Sequence, residues 1–525
     1  MLALNEKGLQ NRGEWEQKGY ALPTYDRAAM IDKTRKAPAW IHFGAGNIFR
    51  AFQCNAAQRL LDAGEMDTGI IAVEGYDYEI VEKGYRPNDN YTLLVTLKAN
   101  GSVEKTVIGS IAESCILDQE NEAEYGRLKE IFANPSLQLA TFTITEKGYA
   151  ITPAVEADFA NGPEKPQSYI GKVASLLYAR YQAGGAPIAL VSTDNCSHNG
   201  DKLKAAINAF AKGWQDAGFQ AYVNSGKVSF PWTMIDKITP RPDASVEQML
   251  RQDGLAGLEP VVTSKHTYIA PFVNAEESEY LVIEDDFPNG RPALEKAGFI
   301  FTDRDTVNKV ERMKVCTCLN PLHTALAVTG CLLGYTRISD EMKDADLVAL
   351  ISKIGYAEGL PVVTDPGVIK PREFIDTVVN VRLPNPFMPD TPQRIACDTS
   401  QKIPIRFGET VKCYMADPDR DAASLEAIPL AMAAWLRYLL GVDDQGKPME
   451  VSPDPLLPQL QEALAGVTLG DPASAEGKLD ALLTRADLFG VSLADAGLDG
   501  KVKAMFAEML AGPGAVRDTL RRRLE

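Results

Sequence analysis

The chain has 525 residues, 45% of them apolar and 24% charged, and 71 acidic against 54 basic side chains leave a net charge of −17. That length exceeds what one core supports, so two or three domains are expected, and the composition excludes disorder as the main state. The charge excludes a general nucleic-acid or membrane-surface binder, because polyanions are repelled over most of the surface, while a local basic pocket for a small anion stays open. The N-terminal text MLALNEKGLQNRGEWEQKGY scatters its charges and holds no apolar stretch of signal-peptide type. The most apolar run, residues 325–335, is too short to span a bilayer. Eight cysteines are too dilute for a disulfide scaffold, so a reduced, cytoplasmic protein is expected. The four histidines (His42, His198, His266, His323) stand outside helical reach of one another, and Cys316 and Cys318 form a lone C-x-C, so no metal site is expected.

In chain order, residues 39–43 (AWIHF) read as a strand and 47–63 as a helix with Ile48, Phe49, Phe52, Ala56 and Leu60 on its apolar side. Residues 69–73 (GIIAV) read as a second strand, and further strands are expected at 137–145, 188–192 and 221–223. Strand and helix alternating at this spacing imply βαβ units and a parallel sheet covered on both faces. After Arg291-Pro292 the text turns helical, at 321–335, 338–354, 422–440 and 475–483. The expectation is an α/β half, residues 1–290, followed by a mostly α-helical half, residues 291–525.

Gly44-Ala45-Gly46 follows the first strand and opens the first long helix, where a loop lets a pyrophosphate approach backbone N–H groups. Phe49 stands where a G-x-G-x-x-G motif has its third glycine, and the bland alternative is a plain strand-to-helix turn. The second strand ends at Glu74, 28 residues past Gly46, where an acid bonds ribose hydroxyls and repels a 2′-phosphate; the alternative is a solvated strand end. Gly44, Gly46, Asn47 and Glu74 are therefore the candidate cofactor-binding residues, and NAD is favoured over NADP.

Seven segments, read in order, resemble the long-chain polyol dehydrogenase family, which includes mannitol 2-dehydrogenase and the mannonate and altronate oxidoreductases. They are IHFGAGNIFRAFQ from Ile41, TFTITEKGY from Thr141, STDNCSHNGDKL from Ser192, FPWTMIDKITP from Phe230, EYLVIEDDFPNGRP from Glu279, LNPLHTALA from Leu319 and RIACDTSQK from Arg394. The resemblance implies a Rossmann-type N-terminal domain, a mostly helical C-terminal domain and metal-free hydride transfer between nicotinamide and a secondary alcohol or ketone of an open-chain six-carbon sugar derivative. It also implies a lysine base, two asparagines at the developing oxyanion and a histidine nearby.

Carried onto this chain, the base is Lys314, which can act only where burial or a neighbouring cation favours its neutral form. The family lysine stands five residues before its asparagine, whereas Lys314 and Asn320 are six apart; we read a one-residue insertion within Cys316-Thr317-Cys318. Asn195 and Asn320 are the oxyanion candidates, since fixed amide N–H donors stabilise charge without reorganising. For Asn320 the structural alternative is an N-cap before Pro321, and for Asn195 a turn residue. His323 falls three residues after Asn320 on the same helix face, as a substrate or positioning ligand or a buried histidine satisfied by backbone. Asp236 would orient the base or a substrate hydroxyl, and the family's usual V-D-R makes Lys237 a conservative departure. Arg394 and Lys402 match the family's substrate-binding stretch, with ion pairs to Asp390 or Asp398 as the alternative.

The leading functional expectation is an NAD-dependent oxidoreductase of a sugar acid of the fructuronate/mannonate type. A mannitol-type sugar-alcohol dehydrogenase is the alternative within the family. From other classes come a non-catalytic dinucleotide-binding protein and an isomerase that recycles tightly held NAD. The expected partner is a small sugar acid or sugar alcohol, with no nucleic acid and no membrane, and the sequence leaves the oligomeric state open.

Overall fold

The computed structural model describes residues 2–525. They form two compact units: residues to Lys98 together with Ser102–Asn308, and Ala99–Gly101 together with Lys309–Glu525. The division at residue 290 read from the sequence lies inside the first unit, because the strand Ile300–Thr302 still pairs there.

The first unit is built on six parallel strands: β1 (Trp40–Phe43), β2 (Ile70–Glu74), β3 (Ile111–Ile116), β4 (Leu139–Phe142), β5 (Ile188–Ser192) and β6 (Val228–Ser229). Their order is β3-β2-β1-β4-β5-β6, the doubly wound order of dinucleotide-binding sheets, in which the winding reverses between β1 and β4. Ligands bind such sheets at the carboxyl ends of the strands beside that reversal. The near-continuous apolar runs reflect burial on both faces: every residue of β1, β2, β4 and β5 is buried. Ile41, Phe43, Ile71 and Val73 enter one core with the helices on that face, while Trp40, Ile70 and Ala72 enter the other.

One expectation needs correction here, and strands β3 and β6 lie outside the expected set. Residues 221–223 end the helix Ala217–Val223, capped by Asp216 and burying Phe219, Tyr222 and Val223 at helical spacing. Strand β3 escapes the apolar-run criterion because it is an edge strand, whose Glu113 pairs with Arg127 at 3.1 Å. A smaller sheet follows, with β7 (Thr233–Asp236) antiparallel to β8 (Tyr280–Glu284) and β8 parallel to β9 (Ile300–Thr302). Helix α1 (Cys54–Asp62) continues a π-helical turn, Phe49–Gln53, that rises from the glycine loop.

The second unit is helical, as expected. Its core helices are α2 (Asn320–Leu332) and α5 (Ala427–Tyr438), the latter buried along its whole length. The long helix expected over 338–354 is broken into α3 (Ile338–Glu341) and α4 (Ala345–Ser352), because Asp344 between them accepts the N–H groups of Asp346 and Leu347 as an N-cap. The run over 422–440 is likewise divided into a short 3-10 turn, Ala422–Ser424, and α5. Buried Glu358 caps α5 from a distance, accepting from Glu426, Ala427 and Ile428 at 2.6–2.8 Å. In the run over 475–483, Ala475 closes the 3-10 turn Pro472–Ala475 and the helix is the short Asp480–Leu483. Among the described residues one helical run, Arg304–Leu332, has the length and hydropathy of a membrane span, and 78% of its apolar window is buried within the protein, as in a core helix.

Candidate active site

In the first unit the loop after β1 is shaped by two glycines with different reasons for being glycine. Gly44 has φ +102°, and a Cβ there would stand 2.1 Å from the Thr143 carbonyl oxygen, so the fold itself demands it. Gly46 has an ordinary φ and open space where its Cβ would be, so the protein's own packing does not demand it. That clear space at the start of the helix is what a pyrophosphate needs for close approach. Asn47 turns its Oδ1 to Arg50, whose Nη2 donates at 2.8 Å. Arg50 is itself buried, donates from Nη1 to Thr92 Oγ1 and the Ala270 carbonyl, and among the described residues pairs with no carboxylate. The residues present therefore fit an anionic dinucleotide.

Phe49, in place of a third glycine, stacks flat on His42 with 3.9 Å between ring centroids. His42 ties β1 to β4 through Thr141 Oγ1 at 2.7 Å and reaches the Gly44 carbonyl at 3.1 Å, and burial pulls it down to about 3, so it is neutral. Neither His42 nor Arg50 is singled out by sequence reasoning. The signal was there in each: a lone polar side chain inside an apolar run, W-I-H-F and I-F-R-A-F. Glu74 is buried rather than solvated. Its Oε2 accepts the Ala45 N–H at 3.0 Å and its Oε1 accepts those of Gly75, Tyr76 and Asp77. Burial raises its pKa and these four backbone donors oppose the rise.

Asn195 lies exposed just past β5, with no hydrogen bond from its side chain to the described residues. Its neighbour Asp194 accepts from the Ile144 and Thr145 N–H groups and from the Tyr149 hydroxyl, which holds Thr145 at φ +64°. Asn199 is structural: its buried amide bonds Ser192, Asp194 and Thr233 and locks β5 to β7. Asp236 is the last residue of β7 and is 8% exposed. Lys237 is spoken for by the Glu276 carbonyl at 2.7 Å and the Glu279 carboxylate at 2.8 Å.

In the second unit Lys314, 5% exposed, opens a π-helical turn, Lys314–Cys318. The Leu319 N–H donates to the Lys314 carbonyl at 3.1 Å, an i→i+5 bond. The surplus residue between Lys314 and Asn320 is thus taken up as a π bulge, a feature that recurs at functional sites. Asn320 is the first residue of α2, with Leu319 in the cap position, so it does not serve as the N-cap. Its half-buried amide makes no hydrogen bond to the described residues. His323, one turn on, has a buried Nε2 without a hydrogen-bond partner, 3.9 Å from Asp390 Oδ2. Burial, opposed by Asp390, pulls it down to about 4.

Arg394 takes the ion-pair alternative, with Asp390 as partner. Lys402 donates to the carbonyls of Ile395, at 3.0 Å, and Cys397, and among the described residues it has no carboxylate partner. His323, Asp390, Arg394 and Lys402 therefore gather around the start of α2, joined by Arg406, which sequence reasoning missed. Among the described residues no three His, Cys, Asp or Glu side chains gather as a metal site.

A family model described as the mannitol dehydrogenase Rossmann domain matches residues 38–296, and one described as the mannitol dehydrogenase C-terminal domain matches residues 306–510. The chain is 50% identical to D-mannonate oxidoreductase of Thermotoga maritima, covering 99% of this chain and 98% of that protein. It is 30% identical to polyol:NADP oxidoreductase of Gluconobacter oxydans, over 85% of this chain and 89% of that one. Among solved structures, mannitol 2-dehydrogenase of Pseudomonas fluorescens, in a ternary complex with NAD and D-mannitol, superposes with a TM-score of 0.68 at 28% identity over 99% of both chains. Substrate-free D-sorbitol dehydrogenase superposes with a TM-score of 0.75 at 27% identity, over 93% of this chain and 95% of that one.

Proposed function

Because this chain belongs to the mannitol dehydrogenase family, we propose that it is an NAD-dependent oxidoreductase of a sugar acid, interconverting mannonate and fructuronate or a close stereoisomer. The carrying observation is the 50% identity to a D-mannonate oxidoreductase over nearly the whole of both chains, against 30% to the polyol:NADP relative. The sugar-alcohol reading is therefore the weaker one. The sheet order and the clear space at Gly46 support a bound dinucleotide. Glu74 supports NAD rather than NADP, since Oε2 accepts a single N–H and keeps a lone pair for a ribose hydroxyl.

The nicotinamide, when bound, supplies the hydride acceptor of alcohol oxidation and the donor of the reverse reaction. In this reading Lys314 takes the hydroxyl proton as the alcohol is oxidised. Asn195 and Asn320 direct amide N–H groups at the oxygen as charge grows on it, and neither amide has a hydrogen-bond partner among the described residues. His323, neutral because of its burial, positions rather than abstracts. Asp236, Arg394 and Lys402 bind the rest of the chain of hydroxyls. All eight cysteines are free, which supports a reduced, cytoplasmic setting. The test is an NADH-linked assay against mannonate, altronate, mannitol, arabinitol and their keto forms. Net NADH formation fastest with mannonate or altronate is the expected result; turnover of alditols alone would replace the reading with the sugar-alcohol one.

A further inference from the structure

Arg406 is a half-buried cation that no acid answers among the described residues. It lies in the π turn Pro404–Gly408, and its Nη1 donates to Thr324 Oγ1 on α2. Among the described residues no carboxylate pairs with it, and its remaining nitrogens make no hydrogen bond while staying open to solvent. Burial pulls the guanidinium down to about 10. Lys402, four residues earlier, carries a second cation whose pKa is lowered first by burial and then by Arg406, against the pull of Asp398. Arg394, in contrast, has Asp390 for a partner. Two like charges one helical turn apart, both drawn from water, stand at a cost that a bound anion would offset.

The position of Arg406 gives that anion a role. Its partner Thr324 follows His323 directly and stands four residues after Asn320, on the first turns of α2. Arg406 also acts on His323 electrostatically, so the two share one site. A guanidinium presents its donors as a planar fork that matches a carboxylate in paired N–H···O bonds, which a hydroxyl cannot reproduce.

We propose that Arg406 is a specificity residue of this site, receiving the carboxylate of the open-chain sugar acid and so separating aldonates from alditols. The proposal deepens the sugar-acid reading above and rests on it. It is tested by the ratio of kcat/KM for mannonate to that for mannonamide, which keeps every hydroxyl and lacks the charge. In the wild type the acid is expected to lead by about 100-fold, the range of hydrogen bonds to charged groups. Arg406→Met should bring the ratio to within about threefold of unity, through KM for the acid. Arg406→Lys, which keeps the charge and decides the matter if the methionine variant fails to fold, should lower it about tenfold. A ratio unchanged in both variants, or both substrates falling equally, would overturn the proposal and leave Arg406 a support for α2. A wild type that oxidises alditols but no sugar acid would instead defeat the reading on which the proposal rests.

Discussion

At the scale of single residues, burial decides which group can serve as base. His323 is held near 4, so across neutral and alkaline pH it is an unprotonated imidazole of low basicity, which is why the proposed reading gives the proton to Lys314. Lys314→Ala should lower alcohol oxidation by at least about a hundredfold while NADH binding is kept. His323→Ala should cost less; steady-state oxidation rates and NADH titrations of both variants decide, and a loss of about a hundredfold in the histidine variant alone would move the base to His323. Glu74 makes a second test. Glu74→Gln keeps one oxygen for backbone donors but removes the charge that faces a 2′-phosphate, so the NAD-to-NADP ratio of kcat/KM should fall by about tenfold or more. Candidates for such residues were legible where chemistry stamps the text, as at Gly44, Lys314, Asn320 and His323. Arg406 was not, because what marks it is the lack of a carboxylate partner among the described residues, and partners are assigned by the fold.

At the scale of elements, apolar runs named four of the six sheet strands, since parallel strands buried on both faces leave that signature. The same criterion failed at residues 221–223, where three apolar residues in a row belong to a helix closed by Asp216, and at β3, where an edge position admits Glu113. It was silent on π turns, because periodicity distinguishes helix from strand and not one hydrogen-bond offset from another. The turn Lys314–Cys318 matters most, since it reconciles a six-residue spacing with a site that resembles one built on five. If the π bulge only absorbs a surplus residue, deleting Val315 should return the segment to α geometry with Lys314 and Asn320 still on one run. We expect that deletion to retain kcat/KM within about tenfold, whereas inserting an alanine after Val315 should cost about a hundredfold, the scale of losing the base. Measuring both on the same substrate checks the bulge; equal losses would show that its geometry is itself required.

At the scale of the whole molecule, buried ionisable groups set how stability varies with pH. Glu341 is fully buried at the end of α3, with neither carboxyl oxygen hydrogen bonded. Its carboxyl fills the space over Gly330, where a Cβ would stand 1.6 Å from Oε1, which accounts for a glycine inside α2 despite a cost of about 1 kcal/mol relative to alanine. Burial, with Asp344 nearby, pushes Glu341 up to about 9 from an ordinary 4.5. The folded protein therefore keeps a proton that the unfolded chain has released over that whole interval. Glu341's contribution is fully present below pH 4.5 and is lost as pH rises towards 9, at no more than about 1.4 kcal/mol per pH unit. His42 and His323 work in the opposite sense. Held near 3 and 4, they contribute stability above pH 6.5 that is lost on acidification, as the unfolded imidazoles take up protons the folded ones refuse. For these three groups the two slopes meet near pH 6.5. Glu341→Gln leaves the histidine limb alone and removes the alkaline one, because a glutamine amide has no proton to lose. Calorimetric melts should then show variant and wild type unfolding together near pH 5, with the variant gaining by several degrees as the pH is raised to 9. A difference that stays constant between pH 5 and 9 would mean that Glu341 is already ionised in the folded protein, and that some unseen donor or cation satisfies the two oxygens.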